Sequence, residues 1–274
     1  MFLKIKKIPK VKWSSEKPFN FKPKFSTFFF LCFGLSLFGL GEGLLIVSFT
    51  GASPWSVLAQ GISLNVNLSI GTITLLISIA VLILWIPLGQ KPGMGTIFNA
   101  LIIAIMIDLC IKYVPTPSNY IHQLLLAVIS VIMVGIGGGI YLVSNLGAGP
   151  RDGLMIGLQK LTNFPIAVVR ATLEISVVSI GWYLGGTVGI GTLLFAFGIG
   201  PCVALGLYLV DKTFDYAAAV AFSYFFLSWG SKIAFRNLHE SGVISNASSV
   251  LSILNCSAID IFLTGVSTTF SSVP

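Results

Sequence analysis

A helix that crosses the hydrocarbon core of a bilayer needs roughly 20 apolar residues, and this sequence supplies that length repeatedly with almost no charge inside it. Candidate spans lie near residues 26–49, 68–88, 94–113, 120–144, 165–184, 190–210 and 214–234. Of the 274 residues, 55% are hydrophobic and 9% charged. Soluble domains carry about 25% charged residues, so the polar side chains here are too few to cover a water-facing surface. The fold class is all-α: a polytopic helical membrane protein of six or seven transmembrane helices.

The net charge of +7 would suggest a nucleic-acid partner if it were spread over the chain. It is not. Residues 1–25 hold eight lysines and one acid, Glu16, and the other 249 residues hold eight basic and eight acidic side chains. No nucleic acid is expected. A basic segment ahead of the first span places the amino terminus in the cytoplasm and suits anionic lipid at the membrane surface. The apolar run 26–49 is longer than the hydrophobic part of a signal peptide and reads as an uncleaved first helix. Cys32, Cys110, Cys202 and Cys256 form no CxxC pair, and His122 and His239 are far apart. No metal or cofactor is expected, and the cysteines read as free thiols.

A duplication organises the rest. Shifting the chain by 96 residues aligns 39–103 with 135–199 without a gap, with 21 identities in 65 positions. The matches fall on residues that shape the backbone. Gly39, Gly41 and Gly43 meet Gly135, Gly137 and Gly139; Gly51, Ala52 and Pro54 meet Gly147, Ala148 and Pro150; Asn67 meets Asn163. The chain then divides into a basic cytoplasmic tail (1–25), a first membrane repeat (26–113), a second (120–210), an extra transmembrane helix (214–234) and a polar, poorly ordered tail (235–274). Two stretches of about a dozen residues, Ser53–Asn65 and Arg151–Thr162, are too short to span and read as interfacial or re-entrant helices. If they do not cross, each repeat has three spans and the two are inverted. If they cross, the repeats are parallel. Their length favours inversion.

The polar residues inside this apolar body are few. Gly147, Gly149 and Pro150 break the fourth span, and Arg151 with Asp152 opens the short helix after it. A broken helix with free N–H groups and an arginine can receive an anion or carboxylate; the same pattern also suits a surface loop whose arginine meets lipid phosphate. Arg170 and Glu174 share a helix face four residues apart, as a binding site or as a structural ion pair. The first-repeat positions matching Arg151, Asp152, Arg170 and Glu174 are Trp55, Ser56, Thr74 and Ser78, so all four charges belong to one repeat. Glu42, between Gly41 and Gly43, and Asp108, near the end of the third span, are lone acids and candidates for proton coupling. No HExxH, GxSxG or paired catalytic carboxylates occur, so no enzyme is expected. The glycine-rich stretch 185–191 lacks the ending of a phosphate loop.

Several stretches together resemble the YczE/YyaS/YitT family of bacterial integral membrane proteins. They are Ser-Pro-Trp at 53–55, Leu-Trp-Ile-Pro-Leu at 84–88, Lys-Pro-Gly-Met-Gly-Thr at 91–96, Leu-Gly-Ala-Gly-Pro-Arg-Asp-Gly-Leu-Met at 146–155, Arg170 with Glu174, and Gly-Gly-Thr-Val-Gly-Ile-Gly-Thr at 185–192 followed by Ile-Gly-Pro at 199–201. The likeness covers about residues 34–212. It implies a multi-pass helical protein of the bacterial plasma (inner) membrane. The family pattern in the first repeat runs Ser-Pro-Trp-Asp with a His shortly after, and Ser56 and Ala59 stand in those places here.

The expected function is transport of a small anionic or zwitterionic solute, with Gly149, Arg151, Asp152, Arg170 and Glu174 forming the binding site. The rival is a non-transporting membrane accessory protein that holds a partner through its glycine-rich helix faces. Its partners are the lipid bilayer and a small solute, and a homo-oligomer is compatible with the same faces.

Overall fold

The computed structural model describes residues 8–213. The expected span at 214–234 and the polar tail 235–274 lie outside the described residues. Eight helices follow in order: α1 (Phe25–Val47), α2 (Pro54–Val66), α3 (Ile70–Trp85), α4 (Met94–Tyr113), α5 (Tyr120–Ser144), α6 (Pro150–Thr162), α7 (Ile166–Tyr183) and α8 (Ile190–Thr213). Helices α1, α4, α5, α7 and α8 are long and apolar enough to cross a membrane, and α2 with α3, bent by 113°, would make a sixth span if taken as one. The span expected at 68–88 is shorter than the sequence suggests, because α3 has 16 residues. Ser69 caps its start by accepting from the Thr72 N–H at 3.1 Å, and a turn closes its end, where Gln90 N–H donates to Trp85 O at 3.1 Å.

Local chemistry sets the two short helices. Ser53 is the N-cap of α2, with Pro54 in its first turn and Asn67 at its end, at φ 54°. Gly149, Pro150 and Asn163, at φ 57°, do the same for α6. Proline suits the first turn because its missing N–H has no helical partner there, and asparagine tolerates the left-handed conformation that ends a helix. Helices α2, α3 and α4 begin at 54, 70 and 94, and α6, α7 and α8 at 150, 166 and 190, each 96 residues later. The described residues with positive φ follow the same interval: Phe49 and Asn145, Gly51 and Gly147, Asn67 and Asn163, Gly89 and Gly185.

At the centre α1 and α5 cross antiparallel. Gly34 lies against Ile140 and Tyr141, and Gly41 against Ser130 and Val134. A Cβ on Gly137 would come within 2.6 Å of Gly34 O and Phe38 N, so the two backbones touch. Small residues are what permit that approach. Helix α4 packs along α1 through Gly39 and Gly43, and α8 along α5 through Gly135 and Gly139. The break after each central helix docks on a distant helix start. Gly191 N–H donates to Thr50 O, and Gly95 N–H to Leu146 O, both at 2.8 Å.

Helix α3 is fastened to α4 by Asp108, which accepts from Ser69 Oγ at 2.6 Å and from Gly71 N–H at 2.8 Å. The matching residues of the second half are Ala204, Pro165 and Ala167. Ala204 offers no carboxylate, Pro165 no hydroxyl, and Ala167 adds a Cβ where Gly71 lies against Ala104 O. Helix α7 packs on α2 and α6, with no packing on α8 like that of α3 on α4.

Part of the basic segment belongs to the folded body, although its composition reads as an orientation signal alone. Trp13 is buried and stacks on Phe30, ring centroids 4.3 Å apart. Ser15 N–H donates to Ser144 O at 3.0 Å, and Asn145 Nδ2 donates to Ser15 O at 2.8 Å.

Two outcomes follow. With α1 and α5 antiparallel, single cysteines placed at Lys91 and Thr187 in a cysteine-free background should react with a membrane-impermeant thiol reagent from opposite sides; labelling from one side would exclude this. Gly71→Ala should destabilise the protein by about 1–3 kcal/mol through overpacking, read as a lowered melting temperature in detergent.

Candidate functional site

The two short helices point their N-termini at one cavity of about 240 Å³, lined by residues of all eight helices. Pro54 and Trp55 enter it from α2, and Gly149, Pro150, Arg151 and Asp152 from the start of α6. Thr74 and Ser78 come from α3, Asn99 and Ile103 from α4, Gly138 and Tyr141 from α5, Arg170 and Glu174 from α7, and Phe195, Ile199 and Val203 from α8. Helix N-termini carry partial positive charge and free N–H groups. The lining holds two arginines and two carboxylates, a formal balance of zero.

Arg151 is the hinge of this arrangement. Its Nη1 stands 3.7 Å from Glu42 Oε1, and its guanidinium lies 5.4 Å from the centroid of the Trp55 ring. Glu42 is wholly buried, while the Arg151 side chain keeps 23% of its surface exposed. Ser53 and Ser56 both donate to Glu42 Oε2, at 2.6 and 2.7 Å. Glu42 Oε1 has no hydrogen-bond partner among the described residues, nor has the buried Trp55 Nε1. A carboxylate at zero exposure is tolerated because the cation and the two hydroxyls replace the water it lost.

A second polar chain runs beside the first. Gly149 N–H donates to Tyr141 Oη at 3.2 Å, and Tyr141 Oη donates to Asp152 Oδ2 at 2.7 Å. Across the cavity Arg170 Nε donates to Glu174 Oε1 at 2.9 Å, with the arginine side chain 48% exposed. Trp85 fixes α6 from behind. Its Nε1 donates to Pro150 O at 3.0 Å, and its ring lies on Gly153 so closely that a Cβ there would overlap it.

The five residues expected to form the site therefore line one cavity, including Arg170 and Glu174, which are remote in sequence from Arg151. Glu42 joins them from behind, through Arg151. Asp108 does not line the cavity, and its carboxylate is spent on fastening α3 to α4. Tyr141 and Asn99 carry no sequence signal that marks them. Trp55 and Ser53 lie in the Ser-Pro-Trp stretch noted above, but their partners depend on the break after α1 folding back toward Glu42.

The family described as "Family of unknown function (DUF6198)" matches residues 25–207. The chain belongs to this family. An uncharacterized protein of Haemophilus influenzae is 39% identical over 209 residues, 76% of this chain and 95% of that protein. The uncharacterized membrane protein YczE of Bacillus subtilis is 30% identical over 200 residues, covering 70% and 90%. The uncharacterized protein YyaS of the same organism is 29% identical over 186 residues, covering 66% and 92%. The resemblance carried by the motifs thus holds, and the protein is a multi-pass membrane protein. No solved structure matches the chain. The whole cavity, from Phe38 to Val203, falls within the residues that match DUF6198.

Removing Arg151 should strand Glu42 as a buried, unpaired charge. Arg151→Ala is expected to destabilise the fold by about 3 kcal/mol, measured by thermal unfolding in detergent. Arg151→Ala combined with Glu42→Gln should recover most of that loss, a coupling that a double-mutant cycle reads directly.

Proposed function

We propose that the protein transports a small anionic or zwitterionic solute, the zwitterion preferred, across the bacterial plasma membrane, with its amino terminus in the cytoplasm. One observation carries this reading: a small cavity between the N-termini of two half-length helices, lined by Arg151, Arg170, Asp152 and Glu174. Broken helices whose N-termini face a central site are the usual device by which secondary transporters hold a substrate carboxylate. The balanced lining favours a solute that carries both charges, its carboxylate toward Arg151 and its ammonium toward Asp152 or Glu174. A volume of about 240 Å³ lies below the roughly 300–1,000 Å³ of pockets for drug-sized ligands, which suits a molecule the size of an amino acid. The antiparallel crossing of α1 and α5 supports two inverted halves, the frame on which alternating access runs.

The accessory reading drew on glycine faces left for a partner. Gly39 and Gly43 pack on α4, Gly41 and Gly137 at the α1–α5 crossing, and Gly135 and Gly139 on α8. These faces are used within the chain.

The test is uptake of amino acids and short carboxylates into proteoliposomes. Arg170→Ala and Arg151→Ala should each lower uptake at least about tenfold, the equivalent of 1.4 kcal/mol in binding. If no solute of the panel enters while the protein co-purifies stoichiometrically with another membrane protein, the accessory role replaces this one.

A further inference from the structure

We propose that the solute's carboxylate and Glu42 compete for Arg151, and that Glu42 takes up a proton when the solute wins, so that solute and proton cross together. This rests on the cavity being the solute site.

Three observations lead here. First, Glu42 has one fully buried carboxylate, one neighbouring cation and two hydroxyl donors, and both hydroxyls are on Oε2. Oε1 lacks a hydrogen-bond partner among the described residues, although Arg151 Nη1 is 3.7 Å away. The ion pair is therefore made at a distance longer than a charge-assisted hydrogen bond, about 2.7–2.9 Å, and the guanidinium is not locked to the acid. Secondly, Arg151 reaches the cavity with a quarter of its side chain exposed, whereas Glu42 does not line it. A solute carboxylate can meet the arginine without meeting the glutamate.

The third observation comes from comparing the two halves. The residue 96 positions after Glu42 is Gly138, which lines the cavity. A Cβ on Gly138 would find Val203 and Phe38 at 3.5–3.7 Å, ordinary contact, whereas one on Gly135, Gly137 or Gly139 would collide with backbone. The N-terminus of α2 receives a carboxylate from α1. The N-terminus of α6 faces the cavity, and the corresponding place on α5 is a glycine on the cavity wall that carries no side chain. The solute supplies there the carboxylate that the second half lacks, beside Arg151 and Trp55, whose Nε1–H has no hydrogen-bond partner among the described residues.

The balance of the exchange is simple. As Arg151 turns to the solute, Glu42 loses its counter-charge at zero exposure, and a buried carboxylate without a counter-charge is driven to neutralise. The proton comes from water and binds Oε1, the oxygen left without a hydrogen bond, while Oε2 keeps both serine donors as a carbonyl oxygen. Among the described residues, the charged or titratable groups around Glu42 and the cavity are Arg151 and Asp152 on α6, Tyr141 on α5, and Arg170 and Glu174 on α7. Tyr141 and Asp152 hydrogen-bond each other, as do Arg170 and Glu174; Asp152 and Glu174 also act on Arg151 through their charge, and Glu42 is the buried acid that is ion-paired with it.

The experiment uses the full chain in nanodiscs, in weakly buffered solution at about pH 7 with a pH dye. The probes are glycine, L-alanine, acetate and succinate, with binding followed by calorimetry. Wild type should take up about one proton per bound probe, and an infrared difference spectrum should gain a protonated-carboxyl band. Glu42→Gln should bind without proton uptake and without the band. Binding to wild type with neither proton uptake nor the band would overturn the exchange and leave the solute site standing. Proton uptake retained in Glu42→Gln would overturn it as well. If none of the four probes binds wild type, the solute site itself fails and the exchange fails with it.

Discussion

The contact on which the rest of the molecule depends is the one between two backbones. Where α1 crosses α5, Gly34 and Gly137 bring main chain against main chain, and Gly41 does the same against Ser130. An apolar interior does not by itself draw helices together in lipid, because the lipid tails are equally apolar. Close approach, with the dispersion contacts it allows, does. A larger side chain at Gly34 or Gly137 would push the central pair apart, and the consequences would reach the site. Tyr141 sits at this crossing, against Gly34 and one turn beyond Gly137, and holds both Gly149 and Asp152, while Glu42 follows Gly41 on α1. The glycines thus set the distance across which Arg151 must reach.

Much of this was legible in the sequence because it is written in residues with few conformational options. Proline at 54 and 150, asparagine at 67 and 163 and glycine at 51 and 147 mark where helices start and stop, and the helix boundaries fall on them. The clustering of Arg151, Asp152, Arg170 and Glu174 was foreshadowed by their confinement to one half of the chain. What could not be read was contact at long range. Glu42 was a lone acid between glycines, and nothing about residues 41–43 indicates that the break at 48–53 returns Ser53 and Ser56 to it. Asp108 presented the same pattern, an acid in an apolar run, and it serves fastening instead. An isolated carboxylate in a membrane helix announces that it has a partner without saying which.

The site also shows how a duplicated chain path can produce unlike halves. The two helix starts have the same shape, and their side chains differ in kind: Ser53, Trp55 and Ser56 at one, Gly149, Arg151 and Asp152 at the other. One start is neutral and receives an internal acid. The other is charged and faces the cavity. Trp85 and Gly181 form another such pair. The tryptophan fills the space over Gly153, whereas Gly181 lets the backbone at Val57 and Leu58 come close. Bulk is exchanged across the two interfaces, and helix packing is kept in both.

The Asp108 fastening bears on how such a molecule would move. With it, α3 and α4 are tied at one end through a serine hydroxyl and a backbone N–H, and a relative tilt of the two must break both bonds. The hairpin of α7 and α8 has no such tie at Ala204, Pro165 and Ala167, and it carries Arg170 and Glu174. The two halves therefore differ in what anchors their third helix. In the first half α3 is held to α4 by a carboxylate, and in the second half α7, which brings Arg170 and Glu174 to the cavity, is held by its packing on α2 and α6.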